Sequence, residues 1–431
     1  MNGPLISLLK TKRFFPIFLT QFLGAFNDNV FKNALVVLIT YRLAAEAGVD
    51  AQLYVTAAAG LFILPFFLFS SLAGNLSDKL EKSALIRLIK LYEIFLCLTA
   101  TLGFYLNDVH ILLLILFLLG TQSAFFGPLK YGILPDHLKP EELVAGNAMV
   151  EAGTFVAILL GTVLGGLTIL TTYGQELVSI ILLVCAIMGY MAASYIPKAP
   201  SMVAKLAINF NIVKSTAHLI KETRKTKGLI TTILFISWFW FLGATYLAQF
   251  PTYAKNILNA NEQVVTLFLT LFSIGIGVGS LICHRLIKET ITLRYGAIAT
   301  ALMAVFGIDL YFASQPFMNT SPINLLTLDA FTNLEGSWLI LIDLAGFSMA
   351  GGLYIVPLYA MMQFKSPAQQ RARVIATNNV FNALFMVASA IMTAALFING
   401  MKVDQVFLLI SLANIPVAIA VQRFARAQEA P

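Results

Sequence analysis

The chain has 431 residues, of which 59% are hydrophobic and only 11% charged, and its mean hydropathy is +0.84. Soluble domains carry about 25% charged residues, so these values exclude a soluble enzyme or binding module and indicate an integral membrane protein. The net charge of +7 is then read against a bilayer, where basic residues report loop orientation and imply no nucleic-acid partner.

Apolar runs of about 20 residues, the length a helix needs to cross about 30 Å of hydrocarbon, recur along the whole chain. Runs such as "HILLLILFLLG" and "VSIILLVCAIMGYMAASYI" are continuous, unlike the alternating segments of about ten residues in a barrel. The fold expected is therefore an all-α membrane protein. About twelve spans are predicted, near residues 14 to 40, 52 to 73, 84 to 106, 110 to 133, 144 to 170 and 176 to 196, then 229 to 250, 264 to 284, 294 to 313, 337 to 361, 374 to 397 and 403 to 422. Lys10, Lys12 and Arg13 precede the first run as in a signal peptide. That run is too long and its centre too polar for one, and no small-residue cleavage site follows, so it is expected to be retained as a span.

With the N-terminus inside, every one of the 28 basic residues except Lys32, Arg42, Lys255 and Lys402 falls on the inner side, Lys205 and Lys288 included. Both termini are thus expected in the cytoplasm. The one long inner loop, from Pro197 to Lys227, is basic and divides the chain into an N-terminal six-helix bundle (1–196), a cytoplasmic linker (197–228) and a C-terminal six-helix bundle (229–431). "FLGA" at 22–25 returns at 241–244, and "GNAMVEA" at 146–152 is echoed by "TNNVFNA" at 377–383, which sets Asn147 opposite Asn378. Two parallel six-helix repeats resemble the major facilitator fold.

Ionisable groups in hydrocarbon are costly unless they pair, neutralise or face a cavity, so each is a functional candidate. They are Asp28 and Lys32 in span one, Glu93 in span three, Glu151 in span five, Asp309 toward the outer end of span nine and Asp343 in span ten. Asp28 and Lys32 stand four residues apart, on one helix face, and can neutralise each other. With Gln21, Gly24, Ala25, Asn29 and Asn33 they form a polar stripe. Two readings stay open: an ion pair that cements helix packing, or a site matched to a zwitterion, with Asp28 taking an ammonium and Lys32 or another base a phosphate. Glu93 and Glu151 have no obvious partner on their own helices, because Lys90 falls near the cytoplasmic boundary. Proton coupling and plain interhelical hydrogen bonding, for instance to Asn147, are both open for them; Asp343 is in the same position.

"GNLSDKLEK", residues 74–82, closes span two and resembles the major facilitator loop signature. Gly74 would permit close helix approach, and Asp78 with Lys79 would hold an inner gate; Glu81 stands where that family usually has Gly. "SAFFGPLKYGILPDHLKPEELVAGNAMVEAGTFVAILLGT", residues 123–162, together with "AFNDN" at 25–29, is similar to the bacterial lysophospholipid transporter family, including the form fused to an acyltransferase and an acyl-carrier-protein synthetase. The likeness covers the first half well; in the second half it rests on span count and "VPLYAMMQ" at 356–363. It implies inward flipping of lysophosphatidylethanolamine and related lysophospholipids across the inner membrane, to be reacylated by a partner acyltransferase. By that resemblance Asp28, Lys130 and Glu151 match family residues, whereas the Arg that members carry in span seven is absent between Gly228 and Gln249, leaving Lys32 to supply a base. The substrate-binding candidates are Asp28, Asn29, Lys32, Lys130, Tyr131, Asn147, Glu151 and Asn378. Gly127–Pro128, Gly132 and Pro135 are expected to interrupt the inner end of span four beside Lys130 and Tyr131.

Two competing functions fit parts of the same sequence. One is a proton-coupled exporter of drugs or metabolites on the same fold, with Glu93, Glu151 and Asp343 as carriers. The other is a membrane acyltransferase; none of His110, His137, His218 and His284 has an Asp five residues on, and the Glu that follows His137 and His284 at that spacing lies on short charged loops. No Gly-Lys-Ser/Thr phosphate loop occurs either, and Cys97, Cys185 and Cys283 lie in apolar stretches without metal-ligand spacing. A transporter without cofactor or metal is expected.

Overall fold

A computed structural model describes residues 4–43, 51–201, 203, 208, 211–287, 292–318 and 325–429; Lys205 and Lys288 lie outside them. Twelve long helices dominate the described residues: α1 (Phe15–Leu38), α2 (Ala51–Lys79), α3 (Lys82–Leu106), α4 (Val109–Gly132), α5 (Leu143–Thr168) and α6 (Gly174–Ser194), then α7 (Leu229–Asn256), α8 (Glu262–Leu286), α9 (Arg294–Met318), α10 (Ser337–Lys365), α11 (Arg371–Ile398) and α12 (Val403–Glu429). Each covers a predicted span. Several run beyond it, α2 to Lys79 and α10 to Lys365.

Among the described residues eleven helices are long and apolar enough to cross a membrane. The other long one, α3, carries Lys82, Arg87, Lys90 and Glu93 and still reads as a span from its surface. Leu88, Leu91, Phe95, Leu98 and Leu102 are all more than half exposed, at alternating spacings of three and four that make one stripe for lipid. Lys90, Glu93, Leu96, Cys97 and Ala100 face inward, buried. The helix is therefore apolar outside and charged inside, the reverse of a soluble helix.

Short connections are fixed by capping. Asn107 ends α3 in a left-handed conformation (φ 52°), and the next residue, Asp108, accepts from the backbone N–H groups of His110 and Ile111 to start α4. A two-residue link forces the two helices antiparallel. α4 runs unbroken through Pro128 and ends at Gly132. The expected interruption at Gly127–Pro128 is thus absent: proline forfeits a single ladder bond, which a packed bundle tolerates, and only the separate turn Leu134–His137 lies beyond the helix.

The chain separates into two compact units. The first comprises Met1–Gly146, Val156–Ile233 and Met362–Ala383; within it α2 packs on α4, and α6 on both α1 and α3. Its apolar core gathers Phe31, Leu35, Leu96, Phe104, Leu116 and Leu182. In the linker, Ile212–Lys225 forms an amphipathic helix whose buried Ser215 meets Ser71 and Asn75 of α2.

The second unit comprises Asn147–Phe155, Leu234–Met361 and Leu384–Pro431. α9 and α12 pack along their lengths. Tyr246 lies at the centre of an aromatic cluster, its ring 4.2 Å from Phe407 and 4.4 Å from Phe347. Its hydroxyl is paired with Ser411 at 3.1 Å, satisfying the polar tip of a fully buried tyrosine.

Candidate functional site

The polar stripe of α1 is held in place by α3 and α4, all within the first unit. Asp28 is 8% exposed and accepts a 2.5 Å hydrogen bond at Oδ2 from Ser123 of α4. Ser123 also contacts the Gln122 side-chain oxygen at 3.1 Å, and the Gln122 amide donates to Glu93 Oε2 at 2.9 Å. Glu93 in turn takes Lys90 Nζ at 2.5 Å and the Asn27 amide at 3.2 Å. Asn27 donates as well to the Leu182 carbonyl of α6 at 3.1 Å. These contacts tie α1, α3, α4 and α6 together, with the single Ser123 hydroxyl proton given to Asp28 and the Gln122 amide given to the Lys90–Glu93 pair.

Gly24 makes room for it, because a Cβ there would collide with Nζ of Lys90. Lys90 is wholly buried and paired, so the expectation that it sits at the membrane boundary and leaves Glu93 without a helical partner is corrected. A buried carboxylate needs a counter-charge and donors, and Lys90, Gln122 and Asn27 supply them. The Asp28 Oδ1 atom is buried without a hydrogen-bond partner among the described residues, so one oxygen is clamped and the other is unused by them.

Lys32 makes no direct ion pair with Asp28 among the described residues. Its Nζ lies 5.7 Å from the centre of the Phe62 ring, a cation–π arrangement. Asn29 and Asn33 donate back to the Ala25 and Asn29 carbonyls on their own helix, and Asn33 also reaches Thr162 at 3.0 Å.

A second constellation in the same unit joins the ends of α2, α3 and α11. Asp78 accepts from Arg373 Nε at 2.9 Å and from the backbone N–H of Ala372 and Arg373 at 3.1 and 3.4 Å. A carboxylate on a helix N-terminus is favoured by the free N–H groups and the macrodipole. Gly74 permits the approach, since a Cβ there would stand 2.6 Å from that of Ala376. Asp136 bridges Lys82 (2.6 Å) and Arg371 (3.3 Å). The engaged base of the loop is therefore Lys82, whereas Lys79 makes no ion pair among the described residues. Glu81 caps α3 through the Ser83 and Ala84 N–H groups, and it also receives the Ala199 N–H at 2.8 Å while Ala199 returns its carbonyl to Lys82. Burial works against ionisation of Glu81, but these backbone and hydroxyl donors prevail and hold its carboxyl below the ordinary value.

Lys130 Nζ lies 4.9 Å from the ring centre of the buried Tyr131. Asn378 is fully buried in the first unit. Asn147 and Glu151, also fully buried, belong to the segment that clusters with the second unit. In that unit Asp343 is 3% exposed and Asp309 is exposed, while Trp240 donates to the Tyr359 hydroxyl at 3.0 Å and stacks on Phe155. The parts that sequence reasoning missed are Ser123, Gln122, Lys90, Lys82, Asp136, Arg371 and Arg373. Only Lys90, three residues before Glu93, left a local signal.

Lipid-facing helices around a buried polar core that reaches four of them define a polytopic helical carrier. The chain belongs to the Major Facilitator Superfamily, whose family model matches residues 17–390. It is 25% identical over 365 residues to the lysophospholipid transporter LplT of Photorhabdus laumondii, covering 82% of this chain and 81% of that one. To the protein of the same name from Escherichia coli O1:K1 it is 26% identical over 361 residues, 80% and 79% of the two chains. Among solved structures it is similar to the human organic anion transporter MFSD10 (TM-score 0.76, 14% identity, 95% and 99% coverage) and to FucP in the outward conformation (0.71, 12%, 98% and 100%). At such identities these two speak for the fold alone. The family and these relatives are transporters, not enzymes.

Proposed function

We propose that the chain is a lysophospholipid transporter that moves lysophosphatidylethanolamine and related lysophospholipids across the bacterial inner membrane by alternating access. Delivery is to the cytoplasmic leaflet, where an acyltransferase/acyl-carrier-protein synthetase reacylates them. The observation that carries this reading is Asp28, a buried acid with one oxygen clamped by Ser123 and the other free of protein donors. It stands in a chain that matches proteins named lysophospholipid transporters over four-fifths of its length. The unused oxygen suits an ammonium donor, and Lys32 or Lys130 suits the phosphate of the same head group. Asn29, Asn147, Glu151, Asn378 and Tyr131 complete the candidate set. In this reading both termini and the basic loops are cytoplasmic, the bundles divide at the linker (1–196 and 229–431), and Asp78 latches the inner gate.

Reconstitution in vesicles with labelled lysophosphatidylethanolamine tests it, by measuring flipping with and without an ion gradient. Flipping is expected, and its absence under both conditions would end the lipid reading. Loss of one charged hydrogen bond is worth about 1.5–3 kcal/mol, so Asp28→Asn should lower transport by about tenfold or more, and Asp343→Asn by less. One observation favours a second reading, proton-coupled export: the Asp343 carboxyl is 3% exposed and its Oδ2 has no hydrogen-bond partner among the described residues, which makes it a group able to carry a proton. Under it, transport should collapse with the proton gradient.

A further inference from the structure

A groove of about 560 Å³ opens on the first unit between the segment leading into α1 and the end of α6. Its walls include Lys10, Lys12, Phe15, Leu19, Met191 and Tyr195, with no acidic residue among the lining. The groove is layered along α1 and α6. Lys10 and Lys12 lie just before the first residue of α1, and Tyr195 just after the last of α6, so two cations and an interfacial aromatic share one level. Phe15 and Leu19, four residues apart on α1, and Met188 and Met191 on α6 carry the wall inward as an apolar slot.

The frame is rigid where the charges sit. Leu8 and Phe14 are buried, Thr11 closes a turn on the Leu8 carbonyl at 2.7 Å, and Arg13 is locked in a two-bond contact with Glu142 at 2.6 and 2.7 Å. That carboxylate also holds the Arg13 guanidinium above its ordinary value. Arg13 is thus fully engaged. Lys10 and Lys12, by contrast, are exposed and make no side-chain ion pair among the described residues.

We infer that this groove is a binding site for one anionic diacyl glycerophospholipid of the surrounding bilayer, its phosphate on Lys10 and Lys12 and an acyl chain in the slot of Phe15, Leu19, Met188 and Met191. Charge decides the head group. Two unpaired lysines with no acid beside them attract a net anion, whereas a zwitterionic head would bring its own cation against them. Depth decides the rest: a soluble anion leaves the slot empty, and an apolar helix leaves both lysines without a counter-charge. The site lies on the outer wall of α1 and α6 and is independent of the substrate reading, because its occupant comes from the bilayer and its readout is binding rather than transport.

The test is native mass spectrometry of the purified full-length chain, titrated with phosphatidylglycerol or phosphatidylcholine of identical acyl chains. The first phosphatidylglycerol should bind about tenfold or more tighter than phosphatidylcholine, as two lysines near a lipid head imply. Lys10→Gln with Lys12→Gln should erase that preference, and both residues are exposed, so folding is not at stake. Met191→Trp, which fills the slot, should weaken first binding of phosphatidylglycerol, and Arg294→Gln, an exposed base at the start of α9, should leave it unchanged. Equal affinity of wild type for the two lipids would overturn the inference. So would a preference that survives the double lysine change, or binding indifferent to Met191→Trp.

Discussion

Lys90 and Glu93 show how burial converts an ordinary i, i+3 pair into a stability determinant. At 0% and 1% side-chain exposure, neither charge can fall back on water. Removing one partner of such a pair costs about 3–5 kcal/mol, while removing both charges together is close to neutral. Lys90→Met alone should therefore lower the unfolding midpoint sharply. Adding Glu93→Gln, which keeps an acceptor for Asn27 and Gln122, should recover most of the loss; a double-mutant cycle without coupling would refute the pairing. Ser123→Ala leaves Asp28 intact but unclamped, so transport is expected to fall while the unfolding free energy drops by about 1.5–3 kcal/mol, the worth of one hydrogen bond to a charged group. In the sequence, Asp28, Glu93 and Glu151 stood out because charge is rare in a span. Ser123 and Gln122 did not, since small polar residues are common in membrane helices and their meeting with Asp28 depends on packing across 95 residues of chain. Lys90 departs from its expected place at the boundary for a geometric reason: eight residues into α3 it lies about 12 Å from the helix start, deep enough to be enclosed by the bundle.

The helices themselves were legible almost to the turn, because apolar run length and charge clusters carry the information. The cross-connections between their ends were not, since ion pairs joining residues far apart in sequence leave no periodic trace. Asp78 on the N-terminus of α11 is one of these. Asp78→Asn keeps the shape and removes the charge, so amide exchange at Ala372 and Arg373 should accelerate and transport should fall; unchanged exchange would show that the acid does not hold that helix end. Glu81 is another. Its departure from the glycine of the loop signature reads in sequence as a weakened match, yet in the fold it caps α3 and fastens the start of the linker through Ala199. Because its carboxyl is held below the ordinary value, its contribution is complete above that value and is lost as pH falls through the lowered one. The melting difference between wild type and Glu81→Gln should thus be present at neutral pH and be lost in acid as pH falls from the ordinary glutamate value through the lowered one. A difference that is constant with pH would assign it to packing alone.

At the scale of the whole molecule, the distribution of basic residues makes a prediction about sidedness. In a variant lacking the native Cys97, Cys185 and Cys283, Lys198→Cys should react with an impermeant thiol reagent only from the cytoplasmic side, and Asn399→Cys only from the opposite one. Reversed labelling would invert the proposed direction of transport. The division of labour between fold and chemistry is visible here too: helix number follows from composition, and sidedness is the expectation drawn from it, whereas under the proposed function the choice of cargo rests on a few side chains in one core.

That core has an electrical character of its own. In their ionised forms Lys90 and Glu93 sum to zero, and so do Asp28 and Lys32; a phosphoethanolamine head adds one positive and one negative charge and leaves the total unchanged. A membrane potential performs work of about 2.3 kcal/mol per 100 mV on each unbalanced elementary charge carried across, and under the proposed function, with these four groups ionised, none is carried. Turnover with such a cargo should therefore proceed at the same rate in polarised and unpolarised vesicles and generate no current, so that the voltage the cell maintains for other purposes neither drives this movement nor resists it.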